Sequence, residues 1–434
     1  MKITFIGSGY VGLVSGAGMS YLGHHVTCLD IDEKKINKLK KLEVPIFEDG
    51  LEEYIRQYGN SERLNFKCGY DASIKDSSAI FITVGTPEAP NGDANLEYIF
   101  DAVLKAAPYA SPDSIFIIKS TVPPGTCANV KALLRERGFD NEVVSNPEFL
   151  REGSAIHDFM HPDRIIIGTD SQKVFHIMRQ IYKPFTDQGI PLLETDLNTS
   201  ELIKYASNSF LACKIAFINE MADLCEVIGA DINKLSKGIG LDHRIGPDFL
   251  KAGPGFGGSC FPKDILALQH LTNKLDSDFL ILEAIIKTNT NRPQLMMAKV
   301  KKFFGGEIKG KKIAVLGLTY KAGTDDLRNS PAIDLINLFW ENDVEVIAYD
   351  PQGMKNAGKY FDDALLCANS ALEAATGADA LIIATEWPEF ANLDYAKVKT
   401  LLNEPNIIDL RNILNKNMLI ALGYKCYFVG QKNC

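Results

Sequence analysis

The sequence predicts an α/β protein in which two parallel-sheet domains are joined by a long-helix central region. Three observations carry that prediction. Over the first ~195 residues, short β-rich runs alternate with helix-like stretches, the pattern of strands covered by crossover helices. Residues 196–228 then hold neither Gly nor Pro. Near residue 311 a second alternating series opens.

The elements follow in order. "KITFIG", "HVTCLD", "AIFITVG", "SIFIIKST", "EVVSN" and "RIIIGT" are the strands of the first series. "DLNTSELIKYASNSFLACKIAFINEMADLCEVI" reads as one helix with Gly229 just past its end as a C-cap. At 1.5 Å per residue it spans roughly 50 Å, longer than one domain needs, so it reads as a spine. Helical text continues to about residue 304, interrupted by a glycine-proline loop at 253–262. "KKIAVLGL", "VEVIAYD", "ALIIATE", "NIIDL" and "CYFVG" are the strands of the second series. The expected boundaries are 1–196, 197–304 and 305–434.

Composition bounds the function. A chain of 434 residues suits two or three domains of about 100–200 residues each. No segment approaches the ~20 apolar residues of a membrane span. The start "MKITFIGSGYVG" lacks the apolar core and cleavage site of a signal peptide, so a cytoplasmic protein is expected. A net charge of −9 argues against a nucleic-acid partner, which needs a basic face; an anionic ligand must instead meet a local cluster of Lys and Arg. The cysteines (28, 68, 127, 213, 225, 260, 367, 426 and 434) number nine. They are scattered, with no metal-ligand spacing, and are expected to be mostly reduced, buried thiols.

"ITFIGSGYVGLVSGAGM" places Gly7, Gly9 and Gly12 as GxGxxG directly after a strand and at the head of a helix, and Asp30 closes the next strand. In that context backbone N–H groups and the helix dipole hold a pyrophosphate while the acid binds the adenosine ribose. A carboxylate about 4 Å from a 2′-phosphate would be opposed by roughly 4 kcal/mol at an effective dielectric near 20. With no arginine adjoining Asp30 and Lys35 the cation considered beside it, NAD is favoured over NADP. The second series lacks GxGxxG and is not expected to bind a second dinucleotide.

"GFGGSCFPKD", Gly255 to Asp264, puts a cysteine in a glycine-rich loop. Pro262 suits the first turn of a helix "PKDILALQHL", which sets Cys260 at that helix's positive end. Lys263 would favour the thiolate and Asp264 would oppose it. A thiol beside a nicotinamide site points to aldehyde oxidation: the thiohemiacetal gives up hydride and becomes a thioester that water hydrolyses. A buried structural cysteine is the competing reading. A one-step hydroxyacid dehydrogenase with an inert cysteine, or an NAD-sensing assembly protein, would fit that alternative.

From Met1 to about Gly430 the chain resembles the UDP-glucose/GDP-mannose dehydrogenase family, which oxidises a sugar primary alcohol to a carboxylate with two NAD. The motifs that carry the resemblance are "GSGYVGL", "VGTPEAPNGDANLEYI", "KSTVPPGT", "SNPEFLREGSAIHDFMHPDRIIIG", "ELIKYASNSFLACKIAFINE", "FLKAGPGFGGSCFPKD" and "YKAGTDDLRNSP". UDP-glucose is the substrate the resemblance favours. Relatives acting on N-acetylated sugars commonly carry His where this chain has Ser259, while GDP-mannose enzymes share a similar "FGGSC", so those sugars stay open.

By the same resemblance the N-terminal domain binds NAD and the C-terminal one binds UDP. Cys260 is the nucleophile. Lys204 and Asn208, four apart on the spine and so on one face, stabilise an oxyanion, with Lys204 also an acid/base candidate. Asp264, with Thr121 through a water, is the base, and Glu148 a further acid/base candidate near the thioester. Glu152 adjoins the nicotinamide, and Arg328 reaches toward the NAD side. Tyr10, Val11, Lys35, Thr86, Thr121 and Lys263 are the remaining implied cofactor contacts. Phe149, Leu150, Phe249 and Gly257 touch substrate, and Lys321 and Arg411 are cations at the UDP-sugar. Arg244 is an arginine offered across a homodimer interface. No metal is implied.

Overall fold

The computed structural model describes residues 1–89, 92–362 and 364–432; Pro90 and Asn91 of "VGTPEAPNGDANLEYI", and Cys434, lie outside the described residues. The chain divides into two compact units, residues 1–207 with 266–275, and residues 208–265 with 276–434.

The first unit is built on an eight-stranded sheet of β1 (Lys2–Ile6), β2 (His25–Asp30), β3 (Leu64–Cys68), β4 (Ala79–Ile82), β5 (Ile115–Ile118), β6 (Val143–Ser145), β7 (Ile165–Gly168) and β8 (Leu192–Thr195), in the order β3-β2-β1-β4-β5-β6-β7-β8. Strands β4 and β5 are buried along their whole length. That is why "AIFI" and "IFII" are unbroken apolar runs: helices cover both faces of a parallel sheet. Phe5 and Phe81 stack at 4.6 Å between ring centroids. One pair departs from the expected parallel pattern, since β6 and β7 meet antiparallel at Ser145 and Gly168.

The second unit repeats the plan with six parallel strands: β9 (Lys312–Leu316), β10 (Glu345–Tyr349), β11 (Leu366–Cys367), β12 (Ala380–Ile383), β13 (Asn406–Asp409) and β14 (Lys425–Phe428), in the order β11-β10-β9-β12-β13-β14. Both sheets reverse direction of winding beside their first strand, at β1/β4 and at β9/β12, where ligands of such folds bind outside the carboxyl ends of the strands.

The spine helix runs Leu197–Ile228 and ends at Gly229, whose φ of +76° takes the left-handed cap conformation. The cysteine helix, Phe261–Lys274, begins one residue after Cys260 with Pro262 in its first turn. A third long helix spans Leu280–Phe303. Among the described residues no helix is long and apolar enough to cross a membrane. The described cysteines form no disulfide.

Candidate active site

In the first unit the sequence-predicted residues gather at the carboxyl end of the sheet. Gly7 follows β1 with φ +100°, and a Cβ there would sit 2.9 Å from the Thr83 backbone. A Cβ on Gly12 would sit 1.9 Å from the Gly7 carbonyl oxygen, whereas one on Gly9 would meet nothing within 4 Å. The turn is thus packed from behind and open in front, where the helix Tyr10–Tyr21 presents its first N–H groups, those of Tyr10 and Val11 among them.

Asp30, at the end of β2, accepts from the Ser8 N–H at 2.8 Å, the Asp32 N–H at 3.0 Å and Lys35 Nζ at 2.8 Å. Burial pushes the Asp30 carboxyl up, but Lys35 and the two amides outweigh it, so the group lies below the usual carboxylate range. A carboxylate offers about four lone-pair sites, which leaves room for a ribose hydroxyl. Lys35 is held by Asp30 and so is not poised to neutralise a 2′-phosphate. The cradle and the acid fit NAD.

After β4 and β5 come Thr86 and Thr121, joined by a hydrogen bond from Thr86 Oγ1 to the Thr121 carbonyl at 3.0 Å. After β6 comes Glu148. It is buried, faces Lys204 Nζ at 3.0 Å, and accepts the Leu150 N–H at 2.5 Å. Phe149 lies under the Arg164 guanidinium, 3.7 Å from its ring centroid, with Lys204 Nζ at 5.2 Å. Glu152 sits in a loop fixed by a residue that sequence reasoning missed: Glu48, buried, accepts from Gly153 N–H at 2.7 Å and Ala155 N–H at 2.6 Å. Tyr10 Oη also accepts from Gly153 N–H, at 2.7 Å. Glu201 was missed as well; its carboxylate takes the Gly125 and Cys127 N–H groups, each at 2.7 Å, and so holds the "STVPPGT" loop to the spine.

A third residue absent from the expected set is Lys119. It is buried and points to Asn146 Oδ1 at 3.4 Å, an oxygen that also accepts Tyr182 Oη. Burial drives its pKa down to about 8; the Lys204 charge adds to that and the Glu148 charge opposes it. A lysine whose folded pKa lies below the 10.5 of its ordinary state binds fewer protons when folded, so it costs stability at neutral pH. That cost fades as pH rises from about 8 toward 10.5. Lys119→Met is therefore expected to stabilise the protein at pH 7 by up to roughly 3 kcal/mol, with the gain shrinking toward pH 10. Urea unfolding of both proteins across that range checks it, and a gain that grew with pH would contradict the sign.

In the second unit Cys260 precedes the cysteine helix directly, and its carbonyl accepts the Asp264 N–H at 2.9 Å. Asp264 is almost wholly buried, with one oxygen held by Asn208 Nδ2 at 2.6 Å and the other by Lys263 Nζ at 2.6 Å. An acid in the first turn of a helix is also favoured by the helix dipole. A Cβ on Gly257 would lie 2.0 Å from the Asn329 carbonyl oxygen, so only glycine fits there. Phe249, a non-glycine residue at φ +61°, packs its ring 6.1 Å from that of Phe261.

The cations of this unit divide. Arg411, after β13, is half-committed: Nε donates to the Ala384 carbonyl at 2.8 Å and Nη2 to the Tyr320 carbonyl at 3.0 Å, with Glu386 at 3.2 Å. It therefore sits at the carboxyl ends of β12 and β9, beside the switch point. Asp409 orients it by accepting the Arg411 N–H at 2.9 Å, and burial, against the backbone N–H groups, raises Asp409 to about 6. Lys321 Nζ lies 5.7 Å from the Tyr320 ring centroid. Arg328 forks onto Asp326 at 2.7 Å and exposed Arg244 onto Asp242 at 2.6 Å.

The position matching Asp30 in the second sheet is Asp350. Its carboxylate takes six donors, from Leu318, Thr319 (twice), Trp387, Gln352 and Gly353, all between 2.7 and 3.1 Å. No lone pair is left for a ribose, which is the physical reason this half does not repeat the dinucleotide site.

The sequence matches three consecutive profiles of one family: the NAD binding domain of the UDP-glucose/GDP-mannose dehydrogenase family over residues 1–186, its central domain over 198–291 and its UDP binding domain over 314–416. The chain belongs to the UDP-glucose/GDP-mannose dehydrogenase family. It is an NAD-dependent dehydrogenase. A UDP-glucose 6-dehydrogenase of Rickettsia bellii is 55% identical over 433 residues, covering 100% of both chains. One of Rhizobium meliloti is 47% identical over 436 residues, covering 99% of this chain and all of its own. Among solved structures, a UDP-glucose dehydrogenase of the hyperthermophilic archaeon Pyrobaculum islandicum superposes with a TM-score of 0.87 at 34% identity, covering 95% of this chain and 94% of its own. This nucleotide-sugar dehydrogenase family thus accounts for two Rossmann-like sheets, only one of which keeps an open dinucleotide cradle.

Proposed function

We propose that this enzyme oxidises carbon 6 of UDP-glucose to the carboxylate of UDP-glucuronate, consuming two NAD and one water. The observation that carries the reading is the thiol of Cys260 at the positive end of its helix, in a glycine loop that admits close approach, with the Asp264 carboxylate one turn further in. Full-length relatives at 55% identity that carry the UDP-glucose 6-dehydrogenase name support the substrate. Ser259 in place of a histidine supports it against N-acetylated sugars.

The residues divide the work. NAD, when bound, accepts the hydride that leaves carbon 6 in each oxidation. Asp264 takes the alcohol proton and later deprotonates the hydrolytic water, with Thr121 holding that water. Cys260 adds to the aldehyde carbon and holds it as thiohemiacetal and then as thioester, and its sulfur is the leaving group when water attacks. Lys204 and Asn208 donate to the oxygen of carbon 6 as it gains negative charge, where preorganised donors act most strongly. Glu148, 3.0 Å from Lys204 Nζ, is a further acid/base group near the thioester. Glu152 and Arg328 line the nicotinamide side, with Thr86 and Lys263 as further cofactor contacts. Arg411 and Lys321 bind the diphosphate, and Phe149, Leu150, Phe249 and Gly257 contact the sugar nucleotide. The functional segments are 1–196, 197–304 and 305–434.

The test is stoichiometry with a substrate panel. Purified protein given UDP-glucose is expected to form two NADH per sugar, and to prefer it to GDP-mannose and to UDP-N-acetylhexosamines. One NADH per sugar would remove the two-step chemistry, and preference for another sugar would correct the substrate.

A homodimer belongs to the same proposal. Phe210, Phe217 and Leu224 recur every seven residues on the spine helix and are 69%, 51% and 47% exposed, with Ile228 exposed next to them. An apolar row of that length on a helix in water is a partner surface, and a second copy supplies a self-complementary one. Arg244 is the residue offered to the other copy's site. Phe217→Asp is expected to yield a monomer by light scattering and to lower turnover, since each site then lacks its partner's arginine. A wild-type protein that is monomeric at working concentration would refute the assembly.

A further inference from the structure

The loop 253–260 contains four glycines in eight residues, so little in its own sequence fixes its path. Its backbone is fixed from outside. Gly253 N–H donates to Asn219 Oδ1 at 2.8 Å, and the Gly253 carbonyl accepts from Arg292 Nε at 3.0 Å. The Phe256 peptide is gripped on both sides by one amide: its N–H donates to Asn289 Oδ1 at 2.9 Å and its carbonyl accepts from Asn289 Nδ2 at 3.0 Å. Asn289 and Arg292 are three apart on the helix Leu280–Phe303 and therefore share a face.

Arg292 is 2% exposed and is itself anchored, with Nη1 on Asp223 at 2.6 Å, while Lys299 also bonds Asp223. Its Nη2 has no hydrogen-bond partner among the described residues. A structural ion pair would not need a fork that leaves one buried nitrogen idle; the fork's orientation is set by Nε, which serves the loop. Pro293 lies next to it and withholds the N–H that would bond the Asn289 carbonyl, so this turn of the helix carries less internal bonding than its neighbours.

We propose that Asn289 and Arg292 are positioning residues that hold the Cys260 thiol where it attacks, by fixing the Phe256 and Gly253 peptides four and seven residues before it. The proposal rests on the reading of Cys260 as nucleophile. A thiol displaced by about 1 Å loses on the order of a hundredfold in rate.

The experiment compares wild type with Asn289→Ala, Arg292→Lys and Cys260→Ser for kcat, NAD KM and the second-order rate of Cys260 alkylation by iodoacetamide. Asn289→Ala is expected to lower kcat by about 10- to 100-fold, to change the alkylation rate several-fold and to leave NAD KM within about twofold. Arg292→Lys keeps the charge for Asp223 and loses the Nε donor, so it too is expected to lower kcat and to change the alkylation rate relative to wild type. Wild-type kcat and alkylation in Asn289→Ala would overturn the proposal for Asn289, and wild-type values in Arg292→Lys would overturn it for Arg292. If Asn289→Ala does not fold, Asn289→Ser is read by the same criteria. An inactive Cys260→Ser beside unaffected clamp variants sinks the clamp alone; an active Cys260→Ser sinks the nucleophile reading and the clamp with it.

Discussion

Cys260→Ser is expected to lose turnover to the acid by about a thousandfold or more, the scale at which removal of a covalent nucleophile is usually felt. The reason is chemical rather than steric, since serine fills nearly the same space. A serine hydroxyl is a far weaker nucleophile than a thiol without a dedicated base, and an oxygen ester lacks the ready leaving group of a thioester. The first hydride can still leave the alcohol, because that step needs a base and not a nucleophile. The variant is therefore expected to form no more than one NADH per sugar, where the wild type forms two. Mass spectrometry of quenched wild-type turnover is expected to find carbon 6 joined to the Cys260-containing peptide. Full turnover by the serine variant would return Cys260 to the class of structural thiols.

Gly12→Ala is expected to weaken NAD binding by about a hundredfold or more while leaving UDP binding intact. The added methyl would stand 1.9 Å from the Gly7 carbonyl oxygen and near Thr83 Oγ1 at 2.7 Å, both far inside contact distance. Gly7 cannot retreat, because the Thr83 backbone lies behind it and its N–H is bonded to the Leu29 carbonyl at 2.8 Å. The turn must open, and the N–H groups that would meet the pyrophosphate leave their positions. UDP is expected to bind the other unit, whose sheet has its own core around Val315, Ile336 and Ile382. Calorimetric titrations with NAD and with UDP separate the two effects. Wild-type NAD affinity in the variant would mean that the cradle holds nothing, and equal loss for both ligands would mean global unfolding.

The strands that sequence reasoning located and those it passed over differ in a physical way. Runs such as "AIFI" and "IAVL" lie inside their sheets and are apolar on both faces. The three strands it missed, β3 ("LNFKC"), β8 ("LLET") and β11 ("LC"), are edge strands of their sheets. These three are only partly covered, so their text is mixed and carries no unbroken apolar run, whereas the remaining edge strand, β14, is buried from Cys426 to Phe428 and is located as "CYFVG". The antiparallel β6–β7 pair was likewise hidden, because direction is set by where the chain returns and not by the residues of the strand.

The glycine cradle, Asp30, the spine helix and the cysteine at a helix start could all be read from the chain, because each is a local matter of spacing, capping and backbone freedom between neighbours in sequence. Glu48 under the Glu152 loop, Glu201 on the Gly125 turn, Lys119 beside Glu148 and Lys204, and the Asn289–Arg292 grip on the cysteine loop were decided by tertiary structure alone. Each is a buried or half-buried polar or charged side chain meeting a peptide or charge dozens to more than a hundred residues away, and burial gives such a group its energy. In sequence a lone Glu, Lys or Asn carries no mark of whether water or a protein interior will surround it.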